Sequence, residues 1–312
     1  MNYEELLKHY KVYLLSQNYS PRSLKKYQID LKSFFSFLLL EKGIQRIQDV
    51  TRETLRDYVH KVVTQKRKKD ALPLSQWTKA GKVAALKTFF RFLLKKGILL
   101  YNPASELEIP RVHTRKVREV LKEREIFKIL DSIDPESPLG LRDRAMLELF
   151  YSTGIRNTEL RFLKVQDVDL KENELRILHG KGRFGKRQRI LPLGRTAQRH
   201  LEEYLCLGRS KFLKDKDPGF LFLSKEGSQL SILLPNRRLK FYAECTGIKK
   251  KVFTHILRHS FATHLLRHGA DIRYVQEMLG HESMDSTRAY TKVEISDLKK
   301  IHRRTHPREQ NP

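Results

Sequence analysis

The sequence predicts a mainly α protein with a small antiparallel β-sheet, built as two domains. A helical bundle is expected over residues 1–101, a linker over 102–117, and a second, mostly helical domain over 118–312. Three observations carry this: helical spacing of apolar residues through the first hundred positions, one later stretch that alternates like a hairpin, and a length of 312 residues, more than one core usually needs.

In the opening segment Leu6, Leu7, Tyr10 and Leu14 form a helical stripe. NYSPRSLKKYQIDLKSFFSFLLLEKG supplies Ser20 as N-cap and Pro21 as first helical residue. Leu24, Tyr27, Leu31, Phe34, Phe35 and Leu38 follow in phase, and Gly43 closes the segment. A third helix is expected from about Thr51, through Leu55, Tyr58, Val59, Val62 and Val63. A fourth starts near Ser75, carries Val83, Leu86, Phe89, Phe90, Leu93 and Leu94, and ends at Gly97. Two prolines, few apolar residues and dense charge in NPASELEIPRVHTRKVREVL mark an extended linker from Asn102 to Val117. LKEREIFKILDSI and LRDRAMLELFYSTG then read as helices. ELRILHGKGRFGKRQRILPL reads as a β-hairpin with Leu175, Ile177, Ile190 and Leu193 as its apolar positions and Lys181 to Lys186 at its tip. Helices resume at Thr196, with an apolar PGFLFLS segment between them.

Charge sets the partner. Lys and Arg number 63 against 36 Asp and Glu, a net +27 spread along the whole chain. Such a field draws polyanions, and nucleic acid is the expected one; no basic amphipathic anchor supports a membrane surface instead. Cys206 and Cys245 form neither a CxxC pair nor a disulfide framework, and read as small core residues in a reducing cytoplasm. The N-terminus does not read as a signal peptide, and FFSFLLL is too short to span a bilayer.

The chemistry concentrates in HILRHSFATHLLRHG, residues 255–269. Thr254 is expected to cap this helix and Gly269 to end it, with Leu257, Phe261, Leu265 and Leu266 on the packing face. His255, Arg258 and His259 share one side by their spacing of three and four. A metal site is disfavoured, since no glutamate sits between the histidines and an arginine would repel a cation. A guanidinium forks onto phosphate oxygens instead. By itself the segment fits a phosphate site or a solvated basic face. His264 and His268 read as ordinary structural histidines.

Other segments shift that balance. STGIRNTEL sets Arg156 after a glycine turn with Glu159 three residues on, a candidate carboxylate brace. LGHESMDSTRAYTKV sets His281 after a glycine and Tyr290 nine residues later. TGIR, GKG, HILRH, LGH and AYT, in that order, resemble the catalytic set of the tyrosine recombinases, the phage-integrase family. The resemblance spans nearly the whole chain: the first hundred residues are similar to the SAM-like core-binding domain, the rest to the catalytic domain. SDLKKIHRRTHPR resembles the C-terminal tail of the bacterial Xer branch.

The resemblance implies a site. Arg156 and Arg258 match the two arginines that clamp the scissile phosphate, Tyr290 the nucleophile that forms a 3′-phosphotyrosine, and His255 the residue assisting proton transfer. His281 matches the position that hydrogen-bonds the phosphate, and Lys181 the general acid on the hairpin. The turn between GKG and PL is longer than the pattern, which leaves Lys186 as a rival acid; His259 could reach DNA or brace the site. Neither metal nor cofactor is implied, because the phosphotyrosine keeps the energy of the broken bond. The implied partner is duplex DNA bearing a specific site, held by a tetramer of identical subunits or of this chain with a paralogous recombinase. The tail beyond Tyr290 would be donated to a neighbouring subunit, and a division-associated DNA translocase could switch the complex on. The Xer-like length and tail imply resolution of chromosome dimers before cell division. An integrase or transposase of a mobile element, a relaxing topoisomerase, and a DNA-binding relative that never cuts are the alternatives.

Overall fold

The computed structural model describes residues 2–66, 71–110, 119–178, 188–214, 216–280 and 295–310. The chain divides into two compact units, Met1–Val117 and Arg118–Pro312.

The first unit holds α1 (Tyr3–Ser16), α2 (Pro21–Glu41), α3 (Arg52–Thr64) and α4 (Gln76–Lys95). Each begins where a polar side chain can take an orphan amide: Asn2 accepts from Glu5 N, Ser20 from Ser23 N, Thr51 from Thr54 N and Ser75 from Thr78 N. Their inner faces meet in an aromatic core. Phe34 sits edge-on to Tyr58 at 5.0 Å, and Tyr10 edge-on to Phe89 at 5.2 Å. Val63 and Leu94, expected in the stripes, are 40% and 41% exposed, because each falls one residue past the inward phase of its helix. The expected linker also begins later than Asn102. Ala104 and Leu107 are buried in this core, and Lys87 Nζ donates to Ser105 O and Leu107 O at 3.2 and 2.7 Å. Two apolar side chains with a place to bury outweigh the flanking prolines and charge.

The second unit is organised on α6 (Pro138–Thr153), which follows α5 (Glu123–Asp131) and whose residues from Gly140 to Thr153 are all buried. Then come α7 (Asn157–Phe162) and a three-stranded antiparallel sheet in the order β1 (Val168–Asp169), β2 (Glu174–Ile177), β3 (Arg189–Pro192). In the β2–β3 register Leu175 faces Leu191 and Ile177 faces Arg189. Leu191 is therefore the inward residue and Ile190, expected inside, is 40% exposed. The tip of the hairpin, with Lys181 and Lys186, lies outside the described residues. Next come α8 (Arg195–Glu203), α9 (Leu234–Cys245), α10 (Thr254–Arg267), α11 (Ile272–Leu279), α12 (Ile295–Thr305) and α13 (Pro307–Gln310). Cys206 and Cys245 are both exposed, so neither is the core residue it was expected to be; Cys245 ends α9 and Cys206 lies on the solvent side of a π-helical turn.

The charged residues of α6 are inside and paired. Arg144 and Arg308 both bond Asp131 and Glu148, joining α5, α6 and α13. His302 and His306 stack at 4.6 Å, wholly buried, and bond Ser152 O and Tyr151 O. The tail expected to reach a neighbour is thus docked on its own unit. No described helix is long and apolar enough to cross a membrane.

Candidate active site

Gly154 ends α6 in the left-handed conformation, φ +60°, and a Cβ there would lie 2.5 Å from the Phe261 ring. Only glycine fits, and the turn delivers Arg156 to the N-terminus of α7. The Arg156 amide donates to Glu159 Oε2 and its Nη1 to Oε1, both at 2.9 Å. Glu159 is the brace the sequence suggested.

Arg258 sits one turn into α10, 6% exposed. It donates through Nη1 to Gly154 O at 2.5 Å and through Nη2 to Leu279 O at 2.6 Å. Arg156 Nη2 donates to Gly280 O at 2.9 Å. A third guanidinium completes the set: Arg189, first residue of β3, forks onto both oxygens of Glu159 at 3.1 and 2.8 Å and donates through Nε to Met278 O at 3.1 Å. Three consecutive carbonyls at the end of α11 are therefore each held by a different arginine. These are the unsatisfied, partially negative acceptors of a helix C-terminus, where cations belong.

Three guanidiniums against one carboxylate leave net positive charge at one place. Burial, then the nearby Arg156 charge, pulls the Arg258 guanidinium below its ordinary value, with Glu159 opposing. Burial would raise the Glu159 carboxyl, but hydrogen bonds and charge from Arg189 and Arg156 hold it below the usual glutamate value. Such a cluster suits an anion, and Arg156, with its side chain 27% exposed, is its open edge.

His255 is exposed near the start of α10, and its ring stands 5.3 Å from that of His259. Phe253, not Thr254, occupies the cap position, and the Thr254 amide donates to Asn236 Oδ1 at 2.8 Å. A cap supplied from α9 leaves no local sequence signal. Leu266, expected on the packing face, is 41% exposed, whereas Leu257, Phe261 and Leu265 are buried. His264 bonds the Tyr151 hydroxyl and His268 bonds Glu123, so both are structural. His281 and Tyr290 lie outside the described residues; α11 ends in Gly280, in the left-handed conformation, immediately before His281. Among the described residues no group of three His, Cys, Asp or Glu side chains is placed to hold a metal.

The chain matches the Phage integrase family over residues 119–296 and the Phage integrase N-terminal SAM-like domain over 7–97. The chain belongs to the phage integrase family. This tyrosine recombinase is 39% identical over 294 residues to tyrosine recombinase XerC 2 of Ralstonia nicotianae, covering 94% of this chain and 83% of that one. It is 36% identical over 296 residues to tyrosine recombinase XerD of Listeria monocytogenes, covering 95% and 96%. A lambda integrase tetramer bound to a Holliday junction shares its fold with a TM-score of 0.68 at 18% identity, covering 95% of this chain and 81% of that one. XerH bound to palindromic difH substrate, a post-cleavage complex, gives 0.65 at 22% identity, covering 95% and 80%. The enzyme class is that of DNA cleavage and rejoining by a tyrosine nucleophile. Arg189 is the site residue the sequence reading missed. Its signal was a charged residue at an inward strand register, opposite the buried Ile177.

Proposed function

We propose that this recombinase cuts and rejoins duplex DNA at a dedicated site through Tyr290, and that it resolves chromosome dimers in the cytoplasm before division. The observation that carries the site assignment is the convergence of Arg156 and Arg258 on adjoining carbonyls beside Glu159, with positive charge in surplus. A phosphodiester gains negative charge on its non-bridging oxygens as it is attacked, so fixed guanidiniums favour the transition state over the ground state.

In the reaction the Tyr290 oxygen bonds to phosphorus and the bond from phosphorus to the 5′-oxygen breaks. His255 takes the tyrosine proton, Lys181 protonates the departing 5′-oxygen, and His281 hydrogen-bonds the phosphate. Attack by a 5′-hydroxyl from the partner duplex reverses these steps and releases the tyrosine. Four subunits on two sites, all of this chain or shared with a paralogous recombinase, would exchange strands through a Holliday junction. The tail would pass between neighbours using the contacts that hold it to its own unit, and a division-associated translocase would trigger the complex.

Lys181 is tested with DNA whose 5′-bridging oxygen is sulfur, a leaving group that needs no proton. Lys181→Ala slows cleavage of normal DNA and regains the wild-type rate on the sulfur substrate. Rescue of Lys186→Ala instead reassigns the acid. The biological role is tested by trapping the protein on sheared genomic DNA and sequencing what stays attached. A single chromosomal site supports dimer resolution, and the ends of a mobile element overturn it.

A further inference from the structure

We propose that Arg189 is a positioning residue of the phosphate clamp, setting where Arg156 and the end of α11 stand. The proposal rests on the reading of Arg156 and Arg258 as that clamp. One guanidinium joins three pieces of chain distant in sequence: β3, on which it stands; Glu159 of α7, through two bonds; and Met278 O of α11, through a third. Its side chain is 8% exposed, so it is shielded from a ligand that Arg156 can meet.

The consequences follow from what each partner does. Glu159 is shared, with Oε1 accepting from both Arg189 Nη1 and Arg156 Nη1. Without Arg189 the carboxylate keeps Arg156 alone as its hydrogen-bonded cation, and draws that guanidinium inward from the open edge. At the same time Met278 O loses its donor, and the turn through Leu279 and Gly280 loses one of its three ties. Close fit at that turn is visible at Gly280, where a Cβ would stand 3.2 Å from Arg189 Nη1. Lysine cannot replace this residue, since one ammonium cannot fork onto a carboxylate and reach a carbonyl on the far side.

The test compares wild type, Arg189→Ala and Arg189→Lys on a nicked DNA substrate that traps the covalent complex. At saturating DNA, Arg189→Ala forms adduct about 100-fold more slowly, the cost of an ångström-scale misplacement. Its affinity for DNA stays within about twofold, because most affinity comes from other phosphate contacts. Ethylguanidinium added at millimolar concentration refills the cavity and restores the Arg189→Ala rate about tenfold or more; ethylammonium does not. A merely structural role predicts a lower melting temperature with no such rescue. Full activity in Arg189→Ala, or a loss that ethylguanidinium leaves untouched, overturns the proposal. A second readout needs no cleavage: the NMR signal of the Arg156 Nε–H moves in Arg189→Ala and returns with ethylguanidinium. An unmoved signal overturns the positioning role whether or not wild type cuts DNA, whereas a wild type without adduct counts against the clamp reading alone.

Discussion

Arg258→Ala is expected to bind DNA with near wild-type affinity yet form the covalent protein–DNA adduct at least about 100-fold more slowly, the loss seen when one preorganised donor to a developing oxyanion is removed. The side chain is almost fully buried and tied to Gly154 O and Leu279 O, so its charge is fixed before any ligand arrives. Burial and the Arg156 charge disfavour its cationic form, and a phosphate at the site would relieve that penalty. Arg258→Lys keeps the charge but cannot hold two carbonyls and a phosphate together, so it stays close to Arg258→Ala. The brace is expected to persist in mild acid. The Glu159 carboxyl is held below its ordinary value, so its stabilising contribution is complete above the unfolded glutamate value and fades only as pH falls through the lower folded value. Single-turnover trapping at saturating DNA, with affinity measured separately, checks this. An Arg258→Ala adduct rate within threefold of wild type removes Arg258 from the clamp.

Deleting residues beyond Val293 is expected to destabilise the second unit itself, by roughly 3–5 kcal/mol, or on the order of 10 °C in melting temperature for a domain of this size. The deletion removes His302, Thr305 and His306, all buried, and opens the space they fill. It also takes Arg308 from Asp131 and Glu148, and Glu309 from the Arg195 amide, bonded at 2.7 Å. The resemblance implies a tail that is donated to a neighbouring subunit and whose loss leaves DNA binding largely intact; its docking on its own unit makes it part of that unit's core as well. The docking should also respond to pH. Burial pushes His264, His302 and His306 below the ordinary histidine value, His306 furthest, with the stacked His302 adding to the effect. A histidine depressed in the folded state contributes stability that is present above about pH 6.5 and lost as pH falls below it. Around the pair stand the Tyr151 ring, His264, Glu309 and Arg308; burial would raise the Asp131 carboxyl, but Arg308 and Arg144 hold it below its ordinary value, so it does not titrate in the same window. Unfolding free energy should therefore fall between pH 7 and pH 5, by up to about 1.4 kcal/mol per pH unit for each histidine, lowering the melting temperature, and less steeply in His306→Asn. A flat profile, or an unchanged melting temperature on truncation, contradicts the docking.

What the sequence disclosed and what it hid divide by range. Ser20, Thr51 and Ser75 announced their helices because a cap and its amide lie three residues apart. The Arg156–Glu159 brace was legible for the same reason. The cap on α10 was not, since Asn236 comes from another helix, and neither was the tie of Arg189 to Glu159 and Met278. Strand register went wrong by one residue because Ile190 and Leu191 are equally apolar, and only the pairing of Ile177 with Arg189 decides between them. The burial and pairing of the α6 charges were hidden too, for partners such as Leu223 O and Arg308 lie far along the chain.

The measurement that tests the central claim most directly is covalent trapping of wild type and Tyr290→Phe on nicked DNA carrying the recombination site, followed by denaturation in detergent. Wild type should carry the DNA through denaturation with a 3′ end attached to Tyr290, and Tyr290→Phe should bind the same DNA yet release all of it. An adduct of equal amount in Tyr290→Phe, or attachment mapped to another residue, would contradict the assignment of Tyr290 as the nucleophile.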